Sequence, residues 1–306
     1  MPFRSPLLAT SLALAIASLA ACSSTQPPAA SAPPAPVAAA PAPAAAPITQ
    51  SNAAQAASAA YDFDMDVFHP VVARNGMVSS EQGLASRIGL QILKSGGNAV
   101  DAAVAMGFAL AVALPNAGNI GGGGFMIVHD AKSGKNIALD FREVAPSKAT
   151  RDMYVGADGK VIDGKSLYTH YAVGVPGTVA GMEHALKKWG SLPLSTVIAP
   201  SVKLADKGFT VSETLAKILE QEKKNMGQWP ATQAIFWRNG EPLKRGDRLV
   251  QKDLAQSLRL IGQQGSKVFY EGAIARKLAA EMAPHAGALS LQDLKNYKVV
   301  EREPVR

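Results

Sequence analysis

Arg142 is the first side chain in this sequence whose surroundings suggest chemistry. It sits in Leu139-Asp140-Phe141-Arg142-Glu143, with a carboxylate two residues before it and another directly after. A guanidinium stays charged and presents parallel N–H groups, so it can hold a carboxylate through two hydrogen bonds that fix orientation as well as charge. Read from the residues alone, Arg142 is a surface cation paired with Glu143 or Asp140.

The four consecutive glycines Gly121 to Gly124 are the loudest local signal. A phosphate loop of the Walker type needs two glycines four residues apart, followed by Lys and Ser or Thr. Here no lysine follows before Lys132. A dinucleotide fingerprint needs a strand before the glycines and a helix after them. The order here is the reverse, with the helical run "AVAMGFALAVAL" before and the strand-like "FMIV" after. The glycines therefore serve close packing of the backbone against a neighbour rather than phosphate binding.

The five histidines, His69, His129, His170, His184 and His285, are dispersed. They form no HExxH and no paired spacing on one helix, so the sequence predicts no metal site, and no G-x-S-x-G announces a serine triad. Thr169-His170 is the one Thr-His pair, and Thr169 reads as a loop residue. Lys and Arg outnumber Asp and Glu, 31 to 24, for a formal charge of +7. They are scattered among acids, as in "KILEQEKK", with no basic block carrying interleaved aromatics, and so nucleic acid is not an expected partner.

Cys22 is the single cysteine, so no disulfide can form within the chain. Before it, "PLLATSLALAIASLAA" is a short apolar run ending in small residues, which reads as an export signal over residues 1–21. Leu19-Ala20-Ala21-Cys22 has the form of a lipoprotein cleavage site, with lipid added to Cys22. Acyl chains there would hold the protein to a membrane without a spanning helix. Ser23 after the cysteine points to the outer membrane, on its periplasmic side. Residues 22–60 are almost wholly Ala, Pro, Ser, Thr and Gln and read as a semi-extended tether, leaving residues 61–306 as the folded part.

Within that part, Leu84, Ile88 and Ile92 fall at helical spacing, and Gly96-Gly97 stops the helix. Asn98 with Asp101 three residues on forms a capping box for a second helix that is apolar on nearly every side and therefore buried. "FMIV" and "NIALDF", joined by "DAKSGK", predict a β-hairpin. A charged loop follows. Helices are then expected at "GVPGTVAGMEHALKKWG", "PLSTVIAPSVKLADKG", "SETLAKILEQEKK", "KDLAQSLRLIGQQG", "EGAIARKLAAEM" and "SLQDLKNY", and a strand begins in "VVEREPVR".

These segments, in order from residue 68 to 306, resemble the γ-glutamyltransferase (glutathione hydrolase) family. The likeness runs through "GLASRIGLQILKSGGNAVDAAVAMGFALAVALPNAGNIGGGGFMIV", "ALDFREVAPSKATRDMY", "GVPGTVAG", "LPLSTVIAPSVKLADKGF" and "LSLQDLKNYKVVEREPV". The resemblance implies an α+β, N-terminal-nucleophile hydrolase fold, an αββα sandwich of which this chain holds the helix-rich large-subunit portion. It implies a precursor that cuts itself into large and small subunits. The cut exposes a threonine, the nucleophile, whose own amine is the base. It also implies that Arg142 grips the α-carboxylate of a γ-glutamyl group, with glutathione and related γ-glutamyl compounds as substrates and no cofactor. The family's Thr-Thr-His or Thr-Ser-His segment is not found in these residues, so no catalytic residue is expected here and a small subunit is an expected partner. A lone large subunit should then expose an apolar face and be poorly soluble. Two other readings share the scaffold: a cephalosporin-acylase-like enzyme, and a truncated lipoprotein without catalysis.

Overall fold

The computed structural model describes residues 72–305. The export signal, Cys22, the tether and residues 61–71 lie outside the described residues. None of the described helices is long and apolar enough to cross a membrane.

Two helices open the fold. α1 (Gly83–Lys94) is capped by the Gln82 side chain and ends before Gly96, whose φ of +90° suits only glycine. α2 (Ala99–Ala113) begins at the expected capping box, with the Asn98 side chain accepting from the amides of Val100 and Asp101 and the Asp101 carboxylate accepting from the Asn98 amide. β1 (Phe125–Asp130) and β2 (Lys135–Asp140) form the expected hairpin, with Phe125 opposite Asp140 and Asp130 opposite Lys135. One helical turn, α3 (Lys165–Tyr168), interrupts the charged loop, followed by a 3₁₀ turn at His170–Ala172.

α4 (Thr178–Trp189) and α5 (Leu194–Lys207) follow, then β3 (Phe209–Thr210), α6 (Glu213–Gln221), α7 (Lys223–Met226) and α8 (Pro230–Phe236). β4 (Trp237–Arg238) pairs with β5 (Glu241–Pro242), and β6 (Arg248–Leu249) pairs back to β3. α9 (Lys252–Gln264), α10 (Lys267–Tyr270), α11 (Ala273–Met282) and α12 (Leu291–Asn296) lead to β7 (Val300–Arg302), which adds to β2 as the third strand of the β1-β2-β7 sheet.

The core follows from the apolar patterning. α2 is the central helix, with Val104, Ala105, Phe108, Ala109 and Val112 fully buried between α1, α4 and α5. α9 covers the far side of α5 through Leu258 and Ile261. The sheet lies on α4 through Leu139, which is fully buried. Its other face is bare: Phe125 is 65% exposed and Ile127 70%, with Val300 beside them on β7.

Two carboxylates tie distant elements together. Asp101 is fully buried and accepts from the amides of Asn98, Ser191 and Leu192 and from the Ser191 hydroxyl, locking the start of α2 to the α4–α5 turn. Asp293, at the start of α12, accepts from Ser290 and, across 146 residues, from the Ser147 amide at 2.8 Å. Burial alone would push both carboxyls up, but these hydrogen bonds outweigh it and hold both below the ordinary aspartate value.

A depressed folded-state pKa means that the unfolded chain takes up the proton first. The stability these groups supply is therefore complete above the unfolded aspartate value of about 3.9 and is lost as pH falls through the lower folded values. The urea midpoint is expected to hold steady from pH 7 to about 5 and to drop steeply below about 4, and Asp293→Asn should make that drop shallower. A wild-type midpoint unchanged between pH 5 and 3 would refute this account.

Candidate functional site

A cleft of 720 Å³ opens where the end of β2 meets the loop before α4. It is lined by Asn119, Gly121, Gly122, Arg142, Glu143 and Tyr171, among others. The glycine run makes the cleft by close approach. The Gly122 carbonyl accepts from the amides of Gly177 and Thr178, at 2.8 and 3.0 Å, and so closes off the N-terminus of α4. A Cβ on Gly123 would meet the Phe141 carbonyl and the Glu143 amide at 2.6 and 2.8 Å, so only glycine lets the two backbones lie this close. Gly124 and Phe141 exchange backbone hydrogen bonds and continue the hairpin ladder to the cleft's edge.

Arg142 is held by its main chain and open at its side chain. Its amide donates to Asp140 Oδ1 (3.1 Å), and its carbonyl accepts from the Tyr297 hydroxyl (2.9 Å). Asp140 is fixed in turn by Arg302 on β7, whose Nε donates to Oδ2 at 3.0 Å while Nη2 lies in ion-pair contact with the same oxygen at 3.0 Å. The Arg142 amide, and after it Arg302, hold the Asp140 carboxyl below its ordinary range. Tyr297 stacks on Tyr270 with centroids 5.6 Å apart, and the Tyr270 hydroxyl donates to the Pro176 carbonyl. Burial, reinforced by the Asp140 and Glu143 carboxylates, pushes the Tyr297 hydroxyl up to about 12, so it remains a donor at any physiological pH.

The Arg142 guanidinium uses Nε alone, donating to Glu143 Oε2 at 3.2 Å. Its carbon lies 6.0 Å from the centre of the Phe125 ring. The side chain is 67% exposed, and neither terminal Nη has a hydrogen-bond partner among the described residues. Glu143 holds the guanidinium through Nε and leaves both terminal nitrogens open, on a residue that lines the cleft. That arrangement can receive a carboxylate ligand in the two-pronged manner. Next to the lining residues Val144 and Pro146, the Val144–Val175 bridge and the Ser147 amide on Asp293 fix the loop that walls the cleft.

Comparison with known proteins agrees with this architecture. Residues 85–306 match the family model described as gamma-glutamyltranspeptidase. The chain belongs to the γ-glutamyltranspeptidase family. It is 50% identical over 254 residues to the glutathione hydrolase proenzyme of Escherichia coli (strain K12), covering 83% of this chain and 44% of that relative. It superposes on the Helicobacter pylori γ-glutamyltranspeptidase with a TM-score of 0.75 at 44% identity, covering 78% of this chain and 68% of that one. A cephalosporin acylase from Bacillus halodurans shares the fold at a TM-score of 0.66 and 30% identity, over 80% of this chain and 47% of that one. The chain thus spans less than half the length of the E. coli relative. As expected from the sequence, its fold class is α+β of the N-terminal-nucleophile hydrolase type.

The positions singled out in the sequence fall as follows. Arg142 lies at the cleft and does pair with Glu143, as the residue-level reading anticipated. Cys22 lies outside the described residues. Thr169 is engaged locally, its hydroxyl donating to the Lys165 carbonyl and accepting from the Tyr171 amide. His129 pairs with Asn136 on the hairpin, and His184 with Glu301. His170 and His285, far apart in sequence, come together. Tyr297 and Asp293 hold the segments around the cleft; Ser290 and Asp293 have capping-box spacing, but the bonds to Arg142 and Ser147, 155 and 146 residues away, leave no local signal.

Proposed function

We propose that this chain is the large-subunit portion of an exported, lipid-anchored γ-glutamyltransferase/glutathione hydrolase. The observation that carries the reading is the Arg142 guanidinium, held by Glu143 through Nε and open at both terminal nitrogens, on a cleft-lining residue of a chain that matches the family. In this reading Arg142 binds the α-carboxylate of the γ-glutamyl group and so fixes where the γ-amide carbonyl lies. A threonine on a small subunit attacks that carbonyl while its own amine takes the hydroxyl proton. The C–N bond breaks, the amine leaves with a proton, and a γ-glutamyl ester remains on the threonine. Water or an amino acid then attacks the ester and frees the threonine hydroxyl. No Thr-Thr-His or Thr-Ser-His occurs in these 306 residues, so in this reading the nucleophile is supplied from outside them. The bare face bearing Phe125, Ile127 and Val300 is where the small subunit's sheet packs.

The test is release of p-nitroaniline from γ-glutamyl-p-nitroanilide. The chain is assayed alone and after co-expression with the reading frame that follows the codon for Arg306. Release by the pair and none by the chain alone is expected. A stable pair that releases nothing favours the non-catalytic lipoprotein instead. In the same cells, Cys22→Ser should move the protein from the membrane fraction to the soluble one, and unchanged fractionation would remove the lipid anchor from the proposal.

A further inference from the structure

On the far side of the loop that walls the cleft, three ligand-bearing side chains meet. His170 starts the 3₁₀ turn, Glu281 lies in the last turn of α11, and His285 follows three residues beyond that helix. Both Nε2 atoms reach the same carboxylate oxygen, Glu281 Oε1, His170 at 3.3 Å and His285 at 3.4 Å. All three ligand atoms lie within 4.8 Å of one another. The Trp229 ring stands edge-on to both imidazoles, 5.2 Å from His170 and 6.2 Å from His285. The family's chemistry gives this cluster no task.

We propose that His170, Glu281 and His285 form a binding site for a borderline divalent metal ion, Zn²⁺ foremost. Two imidazoles and one carboxylate are a donor set that zinc accepts, with a fourth position left for water. With ligand bonds of about 2.0–2.2 Å, tetrahedral ligands sit roughly 3.4 Å apart, which the two carboxylate–imidazole separations already match. The imidazole pair needs one adjustment. Its rings are stacked 4.2 Å apart and only 13° from parallel, so a single ion cannot lie in both ring planes. A turn of the exposed His285 ring about its last torsion, which is broad for histidine, brings its lone pair onto the ion. His170 is the less mobile ligand, its side chain 15% exposed. Because Tyr171 and Ala172 line the cleft directly after His170, a bound ion would clip the cleft wall to α11.

The experiment is titration of the full chain with Zn²⁺ in chelator-free buffer by calorimetry, with Ni²⁺ quenching of tryptophan fluorescence as a second readout. One ion per chain is expected. His285→Ala, at an exposed position, should weaken binding by more than the roughly 10–100-fold that loss of a supporting outer group costs. Glu281→Gln should weaken it too, and Trp229→Phe should remove most of the quenching while leaving Zn²⁺ affinity in place. Circular dichroism confirms that each variant is folded. Absence of Zn²⁺ binding by the wild-type chain overturns the proposal, as does binding that is unchanged in both His285→Ala and Glu281→Gln, which would put the ion elsewhere.

Discussion

Replacing Arg142 by alanine is expected to lower kcat/KM of the assembled two-subunit enzyme for γ-glutamyl-p-nitroanilide by about 100- to 1,000-fold. In the assembled enzyme the bound substrate and the small subunit would cover this now exposed guanidinium, and removing one partner of such a desolvated, hydrogen-bonded charge pair costs about 2–5 kcal/mol, with each 1.4 kcal/mol tenfold. The loss should fall mainly on KM, because the α-carboxylate is not a reacting group and is held alike in the ground and transition states. Arg142→Lys should recover only part of it, since an ammonium keeps the charge but not the fork. The decisive control is a substrate lacking the α-carboxylate. It should be poor with the wild type and no poorer with Arg142→Ala. Equal losses on both substrates would show that Arg142 acts through the fold and not by contact. A loss below tenfold on the full substrate would remove it from the binding site.

The second large effect concerns stability. Asp101→Ala is expected to destabilise the chain by about 3–5 kcal/mol, because it strands several polar groups at a buried junction. The amides of Ser191 and Leu192 lose their acceptor, the α2 N-terminus loses half of its capping box, and the Ser191 hydroxyl loses its partner. At roughly 2–4 °C per kcal/mol for a domain of this size, Tm should drop by about 6–20 °C. Asp101→Asn keeps the shape and one acceptor oxygen and should cost less. A Tm shift under 3 °C for the alanine variant would mean that the junction is held by apolar packing alone.

Much of this architecture could be read from local spacing. The capping box of α2 depends on residues three apart, and the hairpin on two short apolar runs around a turn, so both announce themselves within a dozen residues. The two-residue strands β3 to β6 offer no period to detect and were not anticipated. Helix α8, opened by Pro230, was missed for want of an apolar stripe. The site was less legible. Arg142 is distinguished from an ordinary surface cation only by its resemblance to a family motif, since its pairing with Glu143 is what any exposed arginine beside a glutamate would do. The groups that hold it are invisible for a different reason. Tyr297 and Arg302 act on the Arg142 segment from 155 and 162 residues away, a separation at which periodicity and spacing carry no information. His170 and Glu281, 111 residues apart, illustrate the same limit.

Those long separations also order events in time. Helices α1 and α2 are joined by a short turn and pack on each other, so their mutual contacts close only a small loop. The Arg142 segment waits for Tyr297 to reach its carbonyl, for Arg302 to grip Asp140, and for Asp293 to catch Ser147. Closing such loops is the slow, topology-limited part of folding. The helical body therefore has the shorter loops to close and the cleft the longer ones. On this ordering the Arg142 guanidinium is anchored late, and the pocket matures as one of the last acts of folding.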